Sequence, residues 1–370
     1  MKREIRFIDL FAGIGGFHQA IHSINGKCVF ASEMDKFARQ TYFENYKSTS
    51  PEIFKDGYFN EDITDPNLDY KDIPNFDILC AGFPCQPFSN AGHKKGFADT
   101  RGTLFFNIQE IVRTKIDEAS KGKGDIPKVL ILENVKGFKN HDKGRTYSTI
   151  KNCLEDLGYT VKAEVLNSKF FGVPQNRERI FIIAWYSDKI PVKKESFNFP
   201  YGLDKKGKPI LEKEKLKTTA LKTKLEDILL SDEELDKRER EEKKSYTISE
   251  RLWEGHQRRK EQHKTKGNGF GYSLFNKDSE YTSTISARYY KDGSEILIDQ
   301  THLNKRPRKL HPIEAARLQG YNALKNNKSA LFEIPVSNNQ AYKQFGNSVS
   351  VPVVTSIAKE VKKQLLDLEL

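Results

Sequence analysis

The sequence predicts a doubly wound, mostly parallel α/β domain with a smaller domain set into it late. Apolar runs of strand length alternate with helical patterns from residue 6 to residue 185, the rhythm of βαβ units. The first run breaks into Ala12-Gly13-Ile14-Gly15-Gly16 and then a helical pattern, which is how a nucleotide-binding unit opens. From about Ser187 the rhythm fades into Lys- and Glu-rich sequence, which marks the second domain.

Bulk properties narrow the classes. The chain has 370 residues, 37% hydrophobic and 31% charged, and no apolar run near the roughly 20 residues that span a bilayer. Met1 to Arg6 leads straight into a strand pattern with no signal-peptide core. Cys28, Cys80, Cys85 and Cys153 have no metal-ligand spacing, so a reduced, cytoplasmic protein without metal is expected. A net charge of +11 favours a polyanionic partner, nucleic acid first.

Arg6 to Phe11 reads as a buried strand, followed by the glycine turn and a helix from Phe17 to Ile24. Glycines there allow a tight turn and close approach of a ligand to the backbone. The spacing is GxGG, not the GxGxxG of dinucleotide binders. The second strand, Lys27 to Ser32, ends on Glu33, where such folds hydrogen-bond a ribose; a helix N-terminal acid is the other reading. A helix covers Asp35 to Tyr46, and Asp62-Ile63 is a candidate for contact with an adenine.

Phe76 to Ala81 is the next strand, and Phe83-Pro84-Cys85-Gln86 follows it. Two prolines, Pro84 and Pro87, stiffen this loop and aim the thiol of Cys85. Nucleophiles of open α/β sheets lie at the carboxyl ends of strands. A buried structural cysteine is the alternative. The polar loop from Ser89 to Gly96, with Lys94, looks like a lid over a phosphate backbone. A helix then runs from about Leu104 to Ala119. Val129 to Leu132 is a buried strand that stops on Glu133-Asn134, a costly place for a carboxylate without a task or partner. Thr146 to Leu157 reads as helix and Tyr159 to Asn167 as strand. Arg177 and Arg179 lead into the strand Ile180 to Trp185, and their alternation puts both on one face, suited to a base carbonyl or a phosphate.

Taken together, Phe11-Ala12-Gly13-Ile14-Gly15-Gly16, Gly82-Phe83-Pro84-Cys85-Gln86-Pro87, Glu133-Asn134-Val135, Gln175-Asn176-Arg177-Glu178-Arg179, Arg317-Leu318-Gln319-Gly320-Tyr321 and Gly346-Asn347-Ser348-Val349 resemble the ordered motifs of the cytosine-C5 DNA methyltransferases of bacterial restriction–modification systems. The motifs span residues 7 to 354. The resemblance implies the methyltransferase fold, S-adenosylmethionine as cofactor and a flipped-out cytosine as substrate. It implies that Cys85 attacks C6 after Pro84 has fixed its loop, that Glu133 protonates or hydrogen-bonds N3, and that Asn134, Arg177 and Arg179 hold the base. It places Phe11, Gly13, Ile14, Gly15, Gly16, Glu33, Met34, Asp62 and Ile63 around the adenosyl group, with Phe83, Leu104, Asn347 and Ser348 completing that pocket. Met34 stands where many relatives carry an aromatic ring. Gln86, Ser89 and Lys94 are expected at the DNA.

Lys205 to Lys266 reads as solvated helix or linker, more basic from Arg251 to Lys260. Residues 267–293 sit where the family places its target-recognition domain; Thr284-Ile285 resembles the family's Thr-Leu pair. Thr284 is expected at the DNA, and Arg288, Tyr289 and Lys291 are candidates for groove contacts or for phosphate contacts. Pro312 fits the first turn of a helix through Gln319, and a last helix runs from Ser350 to about Leu368. The expected organisation is a catalytic and cofactor domain over 1–186, a recognition domain over 187–305 and a return segment over 306–370, with a DNA cleft between the domains.

The expected activity is methylation of cytosine C5 in a short duplex DNA sequence, protecting it from a partner nuclease. The protein is expected to be a monomer in the bacterial cytoplasm, associated with DNA and no membrane. A tRNA-methylating relative, a non-catalytic nucleic-acid-binding protein and a nicotinamide-dependent oxidoreductase are the alternatives. Intact Cys85 and Glu133 speak against the second, and the GxGG turn against the third.

Overall fold

The computed structural model describes residues 4–84, 104–187, 197–321 and 332–367. The chain forms two compact units, one from Met1–Leu166, Glu178–Tyr201 and Val353–Leu370, the other from Asn167–Arg177 and Gly202–Pro352.

The first unit is built on a seven-stranded sheet. Its strands are β1 (Ile5–Leu10), β2 (Gly26–Ser32), β3 (Phe59–Asn60), β4 (Ile78–Gly82), β5 (Val129–Val135), β6 (Tyr159–Asn167) and β7 (Glu178–Tyr186). They lie in the order β3-β2-β1-β4-β5-β7-β6. Strands β3, β2, β1, β4 and β5 pair in parallel, and β7 runs antiparallel to β5. The order reverses between β1 and β4, so the crevice of this sheet opens at the carboxyl ends of those two strands.

Helices α1 (Gly16–His22), α2 (Lys36–Tyr46), α3 (Pro51–Lys55), α4 (Phe105–Ser120) and α5 (Arg145–Asp156) connect the strands. Asp35 caps α2, its carboxylate accepting from the N–H groups of Phe37 and Ala38 at 2.9 and 3.1 Å. Strands β4 and β5 are buried on both faces and therefore read as continuous apolar runs. On one face Ile8, Leu79, Leu130 and Ile182 pack with Phe105, Ile108 and Val112 of α4 and Ile150 and Leu154 of α5.

In the second unit two short ladders form, β8 (Gly202–Leu203) with β9 (Pro209–Ile210), and β10 (Leu274–Phe275) with β11 (Leu297–Ile298). Its helices are α6 (Leu216–Thr219), α7 (Asp232–Glu242), α8 (Glu250–Thr265), α9 (Pro312–Leu318) and α10 (Asn338–Asn347). The Lys- and Glu-rich stretch is thus largely helical and solvated, as its charge pattern implies. A buried carboxylate pins the unit together. Glu314, fully buried, accepts two bonds from Arg308 and one each from the backbone N–H groups of Leu230 and His311. The last helix, α11 (Val351–Asp367), clusters with the first unit from Val353 onward. Val354, Ile357, Ala358 and Val361 are buried there, and Lys362 donates to the Ile24 carbonyl at 2.6 Å.

Two expectations of placement change. Arg177 and Arg179 do not alternate along one strand, because β7 begins at Glu178 and Arg177 lies in the second unit. Tyr289 is not a groove residue: it is fully buried, its hydroxyl donating to the Ile296 carbonyl and accepting from the Leu310 N–H.

Candidate active site

The first unit gathers its chemistry at the carboxyl edge of the sheet. Gly82 at the end of β4 pairs with Glu133 of β5, so the strand leading to Phe83-Pro84 and the strand carrying Glu133 end side by side. Glu133 is buried, and Arg179 of the antiparallel neighbour faces its carboxylate, Nε to Oε1, at 3.2 Å. Burial draws the Arg179 guanidinium below its usual value, and the charge of Glu133 opposes that fall. This pair is a buried carboxyl group held in place by a cation, and in its protonated form it could give a hydrogen bond or a proton to a ring nitrogen.

The Asn134 side chain holds the neighbouring backbone. Its side-chain N–H donates to the Phe83 carbonyl at 2.8 Å, and its oxygen accepts from the Val135 N–H. It therefore fixes the backbone just before Pro84, which is itself exposed. Cys85, Gln86, Ser89 and Lys94 lie outside the described residues.

The glycine turn has an unusual backbone. Phe11, Gly13 and Gly15 all take positive φ, at 54°, 56° and 82°. For Phe11 that conformation costs on the order of 1 kcal/mol, so outside contacts must hold it. Glu33 supplies one: its Oε2 accepts from the Gly13 N–H at 2.8 Å and its Oε1 from the Asp35 N–H at 2.7 Å. Burial raises the Glu33 carboxyl, and these two N–H groups pull it back. Met34, next to it, is 73% exposed. No atom stands within 4 Å of where a Cβ on Gly13 would be. Asp62 holds its own turn, accepting from the N–H and hydroxyl of Thr64, and Ile63 is buried beside it. A carboxylate at a strand end, an uncovered thioether, open space over a glycine and a second carboxylate suit an adenosyl group. Leu104 caps α4 and is half-buried.

Below the turn lies a cluster that the sequence did not single out. His18 is fully buried, with Nδ1 2.7 Å from the Tyr42 hydroxyl and Nε2 3.1 Å from that of Ser50. Burial pushes its imidazole down to about 3. Asp9 of β1 is also fully buried; its carboxyl is held well above the usual range by burial, and the His18 backbone N–H opposes that rise. Among the described residues its oxygens make no well-formed hydrogen bond.

The second unit gathers four of the sequence motifs. Gln175 donates to the Leu318 carbonyl and the Gln319 side chain and accepts from the Ile285 N–H. Arg177, 1% exposed, donates to the carbonyls of Ile285, Gly346 and Ser348 at 3.2, 3.1 and 2.7 Å. A Cβ on Gly346 would collide with the backbone of Ser286 and Ala287, so only glycine permits this approach. Thr284 donates to the Asn176 carbonyl. Ser348 shares a hydrogen bond with Tyr321, Asn347 is exposed, and so are Arg288 and Lys291.

The family model of the C-5 cytosine-specific DNA methylases matches residues 5–363. This chain belongs to that family. The methyltransferase M.SsoII of Shigella sonnei, a type II enzyme by its name, is 50% identical over 357 residues, 96% of this chain and 79% of the relative. Type II methyltransferase M.HhaI of Haemophilus parahaemolyticus is 37% identical, over 98% of this chain and 95% of the relative. The structure of S. pombe Dnmt2 agrees in fold, with a TM-score of 0.66 over 99% of this chain and 100% of that one at 20% identity. The family methylates C5 of cytosine in DNA, and that is the activity of this chain. Among the described residues no helix is long and apolar enough to cross a membrane, and no group of three or more His, Cys, Asp or Glu could hold a metal.

Proposed function

We propose that this methyltransferase works through covalent catalysis by Cys85 and takes S-adenosylmethionine as cofactor. The observation that carries the reading is the pairing of Gly82 with Glu133, which ends the strand that precedes Cys85 in sequence beside a buried carboxylate. Cys85, as thiolate, adds to C6 of a cytosine drawn out of the stack. Glu133 gives a proton or hydrogen bond to N3, so the ring accepts the electron pair, and Arg179 keeps that carboxylate in place. S-adenosylmethionine, when bound, supplies the methyl group as an electrophilic sulfonium. Loss of the C5 proton then restores the ring and expels Cys85. Glu33, Met34, Asp62, Ile63 and the turn Phe11 to Gly16 would hold the adenosyl group, with Phe83 and Leu104 adding apolar surface.

The second unit would carry target recognition. Arg288 and Lys291, both exposed in the 282–293 stretch, are its candidates for DNA contact. The type II relatives support a role as the modification half of a restriction–modification pair; in this reading the enzyme acts as a monomer on duplex DNA in the bacterial cytoplasm.

Duplex DNA of mixed sequence containing 5-fluorocytosine tests the chemistry. Fluorine cannot leave C5 as a cation, so wild-type protein with S-adenosylmethionine is expected to form a covalent adduct that survives denaturation. Cys85→Ser is expected to form none. An adduct with Cys85→Ser, or none with an active wild type, overturns the assignment of the nucleophile.

A further inference from the structure

Glu33 holds the glycine turn from one side, and a second residue holds it from the other. The Tyr46 hydroxyl, at the end of α2, donates to the Gly15 carbonyl at 2.7 Å and reaches the Ile14 carbonyl at 3.5 Å. The Gly15 carbonyl also accepts from the Gln19 N–H at 2.9 Å, so it is a two-donor anchor at the start of α1. The Tyr46 ring fills the space under the turn: a methyl on Gly15 would stand within 2.8 Å of the Tyr46 hydroxyl oxygen. The ring in turn lies flat on His18, with centroids 4.0 Å apart and planes 18° apart. Its position is therefore fixed by packing, and its hydroxyl is aimed.

We infer that Tyr46 is a positioning residue for the cofactor, a second clasp that with Glu33 fixes the backbone of the glycine turn in its ligand-ready form. The inference rests on the reading of that turn as the adenosyl site. The two clasps sit at opposite ends of one segment. Glu33 follows the end of β2 and takes the Gly13 N–H; Tyr46 ends α2 and gives to the Gly15 carbonyl. Between them they fix Gly13 and Gly15, the two glycines at positive φ in the turn. A turn held in this conformation before binding spares the ligand the ordering entropy that a slack turn would demand. The hydroxyl meets the turn at its backbone carbonyls, so it is expected to act on cofactor affinity and not on the methyl-transfer step.

Calorimetric binding of S-adenosylhomocysteine to the full chain tests this, with Tyr46→Phe and Tyr42→Phe in parallel. Tyr46→Phe keeps the ring, its stacking on His18 and its filling of the space under Gly15. It removes only the donor. Its dissociation constant is expected to rise about 3- to 10-fold, the worth of one hydrogen bond, and KM for S-adenosylmethionine to rise alike. The turnover number at saturation and DNA affinity are expected to stay within twofold. Tyr42→Phe removes a hydroxyl from the same buried cluster, bonded to His18 and not to the turn, and is expected to bind like wild type. Wild-type affinity in Tyr46→Phe, or equal weakening in both variants, overturns the inference while leaving the adenosyl site standing. Failure of wild type to bind either cofactor form overturns the site itself and the inference with it.

Discussion

Arg177 offers the sharpest separation of structure from chemistry. Its family motif makes it a candidate for holding the substrate base, yet it donates to three backbone carbonyls of the second unit. Lysine at 177 keeps the charge but gathers its three donors on one atom. A planar fork serves Ile285 through Nη1 and both Gly346 and Ser348 through Nη2; an ammonium cannot span those positions. Each buried carbonyl left without its donor costs about 1–3 kcal/mol. With two carbonyls orphaned and the third retained, Arg177→Lys is expected to destabilise the second unit by about 2–6 kcal/mol. The chain has two tryptophans, Trp185 in the first unit and Trp253 in the second. In a Trp185→Phe background, urea unfolding followed by Trp253 fluorescence therefore reads the second unit. An unfolding midpoint unchanged by Arg177→Lys, alongside a collapse of turnover, would refute the structural reasoning and return Arg177 to the substrate.

The Asn134 side chain anchors the Phe83 carbonyl, so Asn134→Ala is expected to slow adduct formation on 5-fluorocytosine DNA by about tenfold, equivalent to roughly 1.4 kcal/mol of lost positioning. Binding of S-adenosylhomocysteine should stay within twofold; an unchanged adduct rate would show that the loop needs no such anchor. His18 is held at about 3 in the folded protein, below its ordinary value near 6.5, so its neutral form stabilises above about 6.5 and that stability drains as pH falls towards 3. The advantage of wild type over His18→Gln in unfolding free energy is expected to shrink by about 1.4 kcal/mol per pH unit between pH 6 and pH 4. The raised carboxyl of Asp9 works in the opposite direction over that window, which is why the difference between the two proteins, and not the wild-type curve, is the quantity to measure.

The sheet was legible because its strands are short apolar runs bounded by glycine, proline or an acid, and local pattern suffices for that. The same pattern located Glu133, since a carboxylate after four buried aliphatics stands out on the residue string alone. Arg177 was misplaced because alternation assumes that both arginines lie in the strand, and its carbonyl partners are 108 to 171 residues away. Tyr289 was misplaced for a related reason. An aromatic in a glycine-rich stretch reads as surface until its hydroxyl is seen to close on Ile296 and Leu310. The buried cluster of His18, Tyr42 and Tyr46 did leave a trace, because the two tyrosines are four residues apart on one helix face. Which polar atoms meet there depends on the fold, and no local rule gives it.

The placement of α11 has a consequence for synthesis. The first unit buries Val354, Ile357, Ala358 and Val361 of a helix that follows about 150 residues of the second unit, Gly202–Pro352. At roughly 5–20 residues per second, a ribosome needs about 8–30 s to cross that stretch. Throughout that interval the nascent sheet domain has an apolar seat with no occupant. An interval with exposed apolar surface thus falls during the enzyme's own translation, and slow codons across the second unit would lengthen it.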